Sequence, residues 1–262
     1  MKKLFLTDID GTLIKTGCPV HPEALAAIER FTASGGLFGL CTGRHTVAVR
    51  AIAAQLPINA PCILCGGAML YDFAKDEPIR ILPFDDGVFD TVRRIMQELP
   101  DVSVTVCTPQ AIHNIRTNDM LLRRGVLEDR SAPMARLEDI RKPLKFLFTH
   151  DDPAVLEMLG REYIDPARYV YHAAATHFYE MTPLGVTKGN AAEEVRALYG
   201  GSENCLLFTA GDAGSDTAMA PVSDLFFVPQ SAPERVRAFA DRLIPSPVDG
   251  GIAEAICQIE AF

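Results

Sequence analysis

Short apolar stretches alternate with amphipathic ones at both ends of this chain, and that alternation leaves few folds open. LFLTD (residues 4–8) reads as a buried strand, and HPEALAAIERFTASGG (21–36) follows with Leu25, Ile28 and Phe31 on one helical face before two glycines stop it. LFGLCTGR is a strand running into a loop, TVAVRAIAAQLP a helix ended by Pro57, and PCILCGG a third strand closed by glycines. Beyond residue 184 the rhythm returns: GNAAEEVRALYGG as helix, CLLFTAGD as strand, SDTAMA as helix, LFFVP as strand, then APERVRAFADRL and GGIAEAICQIEAF as helices. Such a succession predicts an α/β fold, Rossmann-like, with a mostly parallel sheet covered on both faces.

The middle of the chain reads differently. AMLYD and IRILPF flank the polar FAKDEP like a hairpin, and VSVTVCT, KFLFTH, RYVYHAA and THFYEMT alternate as half-buried strands do, with helices only near 86–99 and 153–163. This predicts an inserted α+β domain at 84–183, interrupting a core made of 1–83 and 184–262. A chain of 262 residues, 48% of them apolar, can bury the interior of one large or two modest domains.

A formal net charge of −9 argues against a nucleic-acid or anionic-membrane partner, since phosphate backbones demand clustered Lys and Arg. A small anionic ligand needs only local positive charge and is still open. The apolar stretch before Asp8 is only three residues long, too short for a signal-peptide core, and no run approaches the ~20 that span a bilayer, so a soluble, cytoplasmic protein is expected, as monomer or homodimer. Seven cysteines, an odd number scattered mostly in apolar segments, suit reduced thiols. Cys62 and Cys65 have C-x-x-C spacing, but no second Cys or His pair stands at zinc-site distance.

Ligands of open parallel sheets bind beyond the carboxyl ends of the strands, so polar residues just after several strands should converge. Four segments qualify: Asp8 and Asp10 after the first strand, Thr42-Gly43-Arg44 after the second, Lys188 at a helix start, and Gly211-Asp212 with Ser215 and Asp216 after CLLFTA. Carboxylates crowded into one crevice require a positive partner, and their oxygens are the ligands Mg²⁺ prefers. Taken singly, Asp10-Gly11 also fits a turn and Asp8 a helix cap. A calcium loop does not fit, because Gly11 is at the fourth position from Asp8 and Pro19 at the twelfth.

Taken together, DIDGTLI, CTGR, TKGNA and GDAGSDTAMA resemble, in order, the four motifs of the haloacid dehalogenase (HAD) superfamily. The layout is similar to its Cof-type sugar-phosphatase branch, whose large α/β cap lies between the second and third motifs. The resemblance implies a Mg²⁺-dependent phosphatase of small phosphorylated metabolites, in which Asp8 is the nucleophile and forms an aspartyl-phosphate, and Asp10 is the general acid and base. It further implies that Thr42 binds the transferring phosphoryl oxygens, with Gly43 and Arg44 beside it, that Lys188 neutralises them, and that Asp8, the Asp10 carbonyl, Asp212 and Asp216 hold the metal. Residue chemistry agrees: a carboxylate is a competent nucleophile toward phosphorus, and alternation in an extended segment points Asp8 and Asp10 the same way. Arg44 could pair with a substrate anion or with the acidic cluster.

Three departures stand out. Ser215 replaces the usual Asn of the fourth motif, Cys65-Gly66-Gly67-Ala68 stands where Asn-Gly-Ala is common, and Pro229-Gln230 where Met-Gly-Asn-Ala is usual. Substrate specificity is expected from the cap, with His113, Asn114, Arg116, His172 and His177 as candidates that surface or strand roles explain better one by one; His21 and His45 should simply begin helices. Rival readings are a hexose phosphate mutase-like phosphotransferase, a signalling receiver domain, which the length and Asp10 disfavour, and a non-catalytic phosphometabolite-binding protein.

Overall fold

The computed structural model describes residues 1–125 and 127–262. In chain order the elements are β1 (Lys2–Thr7), α1 (Pro22–Ala33), β2 (Leu37–Leu40), α2 (Thr46–Ala53), β3 (Cys62–Leu64), β4 (Met69–Asp72), β5 (Glu77–Ile81), α3 (Val88–Glu98), β6 (Ser103–Cys107), β7 (Ile112–Arg116), α4 (Asp119–Arg124), α5 (Leu127–Arg130), β8 (Lys145–Thr149), α6 (Pro153–Tyr163), β9 (Tyr169–Ala175), β10 (Phe178–Pro183), α7 (Lys188–Ala197), β11 (Cys205–Ala210), β12 (Leu225–Pro229), α8 (Glu234–Arg237), β13 (Arg242–Ile244) and α9 (Gly251–Ala261). Two compact units result. One comprises Met1–Arg44, Val49–Arg80 and Thr187–Phe262; the other comprises His45–Ala48 and Ile81–Val186.

The first unit is built on a five-stranded sheet of order β13-β12-β11-β1-β2, parallel throughout. Both faces of its central strands are buried, which is why they carry no polar alternation. Leu4 and Leu6 of β1 pack with Leu207, Phe226, Val228 and the α7 residues Ala191, Ala192 and Val195. On the opposite side, Phe5 meets Phe38 and Phe227 with ring centroids 5.9 and 6.3 Å apart, and Phe208 is covered by Phe262 beyond α9. Helix α1 buries Ala24, Ala27, Ile28 and Phe31, one helical stripe, and packs against α9. His21 does begin this helix, accepting the Glu23 N–H on its ring. A separate sheet of order β3-β4-β5 adjoins β2 through a single parallel bridge, Cys41 to Ile63.

One expected helix is cut to a single turn. APERVRAFADRL forms only the single turn of α8 before the chain returns as β13 at the sheet edge. Asp241 explains the switch: its N–H donates to the Phe226 carbonyl at 3.0 Å and its carboxylate accepts the Phe226 N–H at 2.8 Å, which clips the chain alongside β12. Tertiary pairing thus overrides local helical preference.

The second unit carries an antiparallel sheet of order β7-β6-β8-β10-β9. Val104, Val106, Phe146, Phe148 and Met181 on one face pack with Val88, Val92 and Ile95 of α3 and Leu156 and Leu159 of α6. Strand β7 and the short α4 and α5 lie in a stretch for which the sequence reading expected no element. Asn114 of β7 is a structural residue: it accepts from the Thr105 hydroxyl at 2.6 Å and donates to the Asp129 and Ala132 carbonyls. Arg116 is another. Its guanidinium donates at 2.7 Å to each of the Met96, Leu99 and Val102 carbonyls, satisfying the exposed acceptors where α3 ends. His177 donates to the His150 carbonyl at 3.2 Å, and His45 is buried on the Thr108 carbonyl at 2.9 Å.

Replacing Arg116 with Met should therefore destabilise the protein by about 3 kcal/mol, because several carbonyls lose a charged donor at once. Urea denaturation would read this, with Arg116→Lys recovering only part of the loss; a stability unchanged by the Met variant would contradict the role.

Candidate active site

The ends of three neighbouring strands bring the site together. Thr7 pairs with Ala210 on one side and with Leu40 on the other, so Asp8, Thr42 and Asp212 all follow adjacent parallel strands within one or two residues of their last paired positions. Neighbouring strands lie about 4.8 Å apart, which sets the width of the crevice. Backbone bonds continue the ladder past the strands: Asp8 N–H donates to the Ala210 carbonyl at 2.9 Å and Cys41 N–H to the Thr7 carbonyl at 2.8 Å.

Lys188 enters from the first turn of α7. Thr187 caps that helix by accepting the Asn190 N–H. The Lys188 ammonium donates to Asp8 Oδ1 at 2.7 Å and also to Asp216 Oδ1, and all three groups are buried. The other oxygen of Asp216 accepts two backbone N–H groups, from Asp212 at 3.0 Å and Ala213 at 2.8 Å, which fixes the loop that carries Asp212. Asp212 is held in turn by the Thr12 hydroxyl at 2.8 Å. Gly11 is obligatory in this arrangement: its φ is +85°, and a Cβ there would lie 2.2 Å from Asp212 Oδ2.

Charge dominates this cluster. Burial pushes the Asp8 carboxyl well above its ordinary range; Asp216 and Asp212 push the same way, against the pull of Lys188. For Lys188, burial opposes the charged form, but Asp216 and Asp8 outweigh it and hold the ammonium well above its usual value. Asp212 is raised to about 6, by burial first and then by Asp216. Three carboxylates around one ammonium leave two negative charges in excess when all are ionised. One oxygen from each of Asp8, Asp212 and Asp216 lies within 4.8 Å of the others. Hard oxygen donors at this spacing, with this charge, fit a divalent cation.

Thr42 is buried, and its hydroxyl oxygen accepts the Arg44 N–H at 3.1 Å, so the hydroxyl proton is left to donate elsewhere. Gly43 follows in the same loop. Arg44 grips Asp10: Nε lies 2.6 Å from Oδ2 and Nη2 2.7 Å from Oδ1, and the Thr16 hydroxyl adds a bond of 3.0 Å to Oδ1. The structure thus gathers Asp8, Asp212, Asp216 and Lys188 into one cluster and joins Asp10 to Arg44. Sequence reasoning missed Thr12 and Thr16. Thr12 had a signal, a hydroxyl directly after a glycine turn at a strand end; Thr16, in an exposed loop, had none. Cys41, under the same cluster, is a buried thiol pushed far up by desolvation, and Cys62 is pushed up to about 12, so neither is primed for chemistry.

The profile of the haloacid dehalogenase-like hydrolases matches residues 5–256. The pyridoxal phosphate phosphatase YbhA of Escherichia coli is 23% identical over 269 residues, covering 97% of each chain. The 5-amino-6-(5-phospho-D-ribitylamino)uracil phosphatase YwtE of Bacillus subtilis is 23% identical over 98% of each. A Mycoplasma genitalium relative, MG265, aligns over 99 residues only, 36% of its length, at 26% identity. Among solved structures, the HAD subclass IIB sugar phosphatase BT4131 superposes with a TM-score of 0.83 over all of both chains at 18% identity. The phosphatase BT1666 of Bacteroides thetaiotaomicron gives 0.84 over 100% of this chain and 96% of its own, also at 18%. With a family profile spanning nearly its whole length, the chain belongs to the haloacid dehalogenase-like hydrolases, in their Cof-type branch.

Proposed function

We propose that this protein is a Mg²⁺-dependent phosphatase that hydrolyses small phosphomonoesters through an aspartyl-phosphate on Asp8. The observation that carries the reading is Lys188, buried between Asp8 and Asp216 with Asp212 alongside. A cation is unfavourable in the first turn of a helix, and its position there makes sense beside an anion. Relatives named for pyridoxal phosphate, for a phosphoribityl pyrimidine and for sugar phosphates support a small phosphorylated metabolite as substrate.

In this reading an Asp8 oxygen forms a bond to phosphorus as the bond to the ester oxygen breaks, and Asp10 gives that oxygen its proton. Water then attacks the phosphorus, Asp10 takes the proton, and the Asp8–phosphorus bond breaks to release phosphate. Lys188 and the Thr42 hydroxyl meet the charge that spreads over the equatorial phosphoryl oxygens, with the Gly43 loop lending backbone donors. Asp8, Asp212, Asp216 and the Asp10 carbonyl would hold Mg²⁺, which when bound supplies further neutralisation of that charge. Because Asp8 is pushed up by burial, Lys188 also serves to keep it ionised and nucleophilic.

Two outcomes test this. Asp8→Asn should abolish hydrolysis of 4-nitrophenyl phosphate, by at least about 10³-fold, while the circular dichroism spectrum stays that of the parent; equal turnover by both proteins would remove Asp8 from the mechanism. In ¹⁸O-labelled water the parent enzyme should release labelled phosphate, as hydrolysis requires and phosphotransfer does not.

A further outcome concerns pH. A carboxyl whose folded pKa exceeds its unfolded value binds more protons when folded, so its contribution to stability is complete below the unfolded pKa and disappears as pH rises through the folded one. Asp212, raised to about 6, and Asp8, raised in the same sense, both behave so. The melting temperature of metal-free protein should fall between about pH 4 and about pH 6.5, and Mg²⁺ should cancel the fall because it binds the ionised carboxylates. Calorimetric titration should show Mg²⁺ affinity rising through about pH 6; a metal-free melting temperature that climbs over this window would contradict the assignment.

A further inference from the structure

We propose that Arg44 is a positioning residue for Asp10: its guanidinium fixes the direction of the general acid instead of anchoring the substrate's phosphate. This inference rests on the phosphatase reading above. Both oxygens of Asp10 lie in one guanidinium fork, at 2.6 and 2.7 Å, a bidentate geometry that defines the plane of the carboxylate as well as its location. The fork itself is held. Arg44 N–H donates to the Thr42 hydroxyl at 3.1 Å, and the Arg44 carbonyl accepts the Cys65 N–H at 3.0 Å, so both backbone groups of the arginine are tied into the loop after β2.

Asp10 has less support of its own. Its side chain is 34% exposed against 19% for Arg44, and it stands in a glycine turn where the Thr16 hydroxyl is its other bonded neighbour. Removing the guanidinium would leave that carboxylate free to swing into water. Thr42 and Arg44 thereby divide their tasks: the hydroxyl keeps a proton to offer to a phosphoryl oxygen, and the guanidinium is spent on the acid. An acid misdirected by an ångström loses most of its effect on the step that needs it and none on a step that does not.

Leaving-group dependence separates the two roles. With full-length protein and Mg²⁺, kcat/KM is compared for phenyl phosphate, whose leaving oxygen needs a proton, and 4-nitrophenyl phosphate, whose leaving oxygen needs little help. Arg44→Ala should lower the first about tenfold or more and the second less than about threefold, leaving the inhibition constant of inorganic phosphate unchanged. Asp10→Asn should show the same selectivity, and the double variant no further loss on phenyl phosphate. Arg44→Lys, which keeps the charge and loses the fork, should reproduce the selectivity and carries the test if the alanine variant fails to fold. Equal losses on both esters together with weaker phosphate inhibition would overturn the proposal and place Arg44 on the substrate. A parent enzyme inert toward both esters would instead overturn the phosphatase reading, and this inference with it.

Discussion

A buried excess of negative charge around a single ammonium governs this structure. Parallel pairing of β11, β1 and β2 delivers Asp8 and Asp212 to one end of the sheet, where Asp8 is buried and Asp212 half-buried. Lys188 offsets part of that charge and lies between Asp8 and Asp216. Burying several like charges is unfavourable unless something compensates, and here the compensation is incomplete by design of the residues present. The local backbone is arranged around this constraint: two amides cap Asp216, Thr12 holds Asp212, and Gly11 leaves room for it.

Most of this was legible in the sequence, for a physical reason. In strands buried on both faces, polar residues gather at the strand ends, so Asp8, Thr42 and Asp212 announced themselves by following apolar runs, and Lys188 by opening a helix. What escaped notice follows from the same logic. Thr12 and Thr16 are ordinary loop residues by type, and only the folded structure shows that each supports a carboxylate. The β13 segment has helical periodicity, and its strand state depends on Asp241 bonding to β12, a contact with no local signature. Arg44 had two readings in the sequence, and it is found on Asp10.

The inserted unit teaches the converse lesson. Polar residues there looked like candidates for ligand recognition, yet Asn114 and Arg116 are consumed by backbone carbonyls of their own unit. A charged side chain in a strand is as readily explained by an unsatisfied helix end as by a substrate. Among the described residues of that sheet, the remaining concentration of charge is the buried Lys145–Glu180 pair with His172 nearby at 3.8 Å.

The pairing of β1 with β11 joins residues about two hundred positions apart, Lys2 with Cys205 through Thr7 with Ala210. Contacts so distant along the chain carry a large loop-closure cost and form late, after nearer elements have condensed. During synthesis, then, a nascent chain holds its first aspartates without their partners until the segment bearing Asp212 emerges. Prior collapse of the intervening unit would shorten the effective tether, making the order in which the two halves condense a determinant of how soon the acidic cluster exists at all.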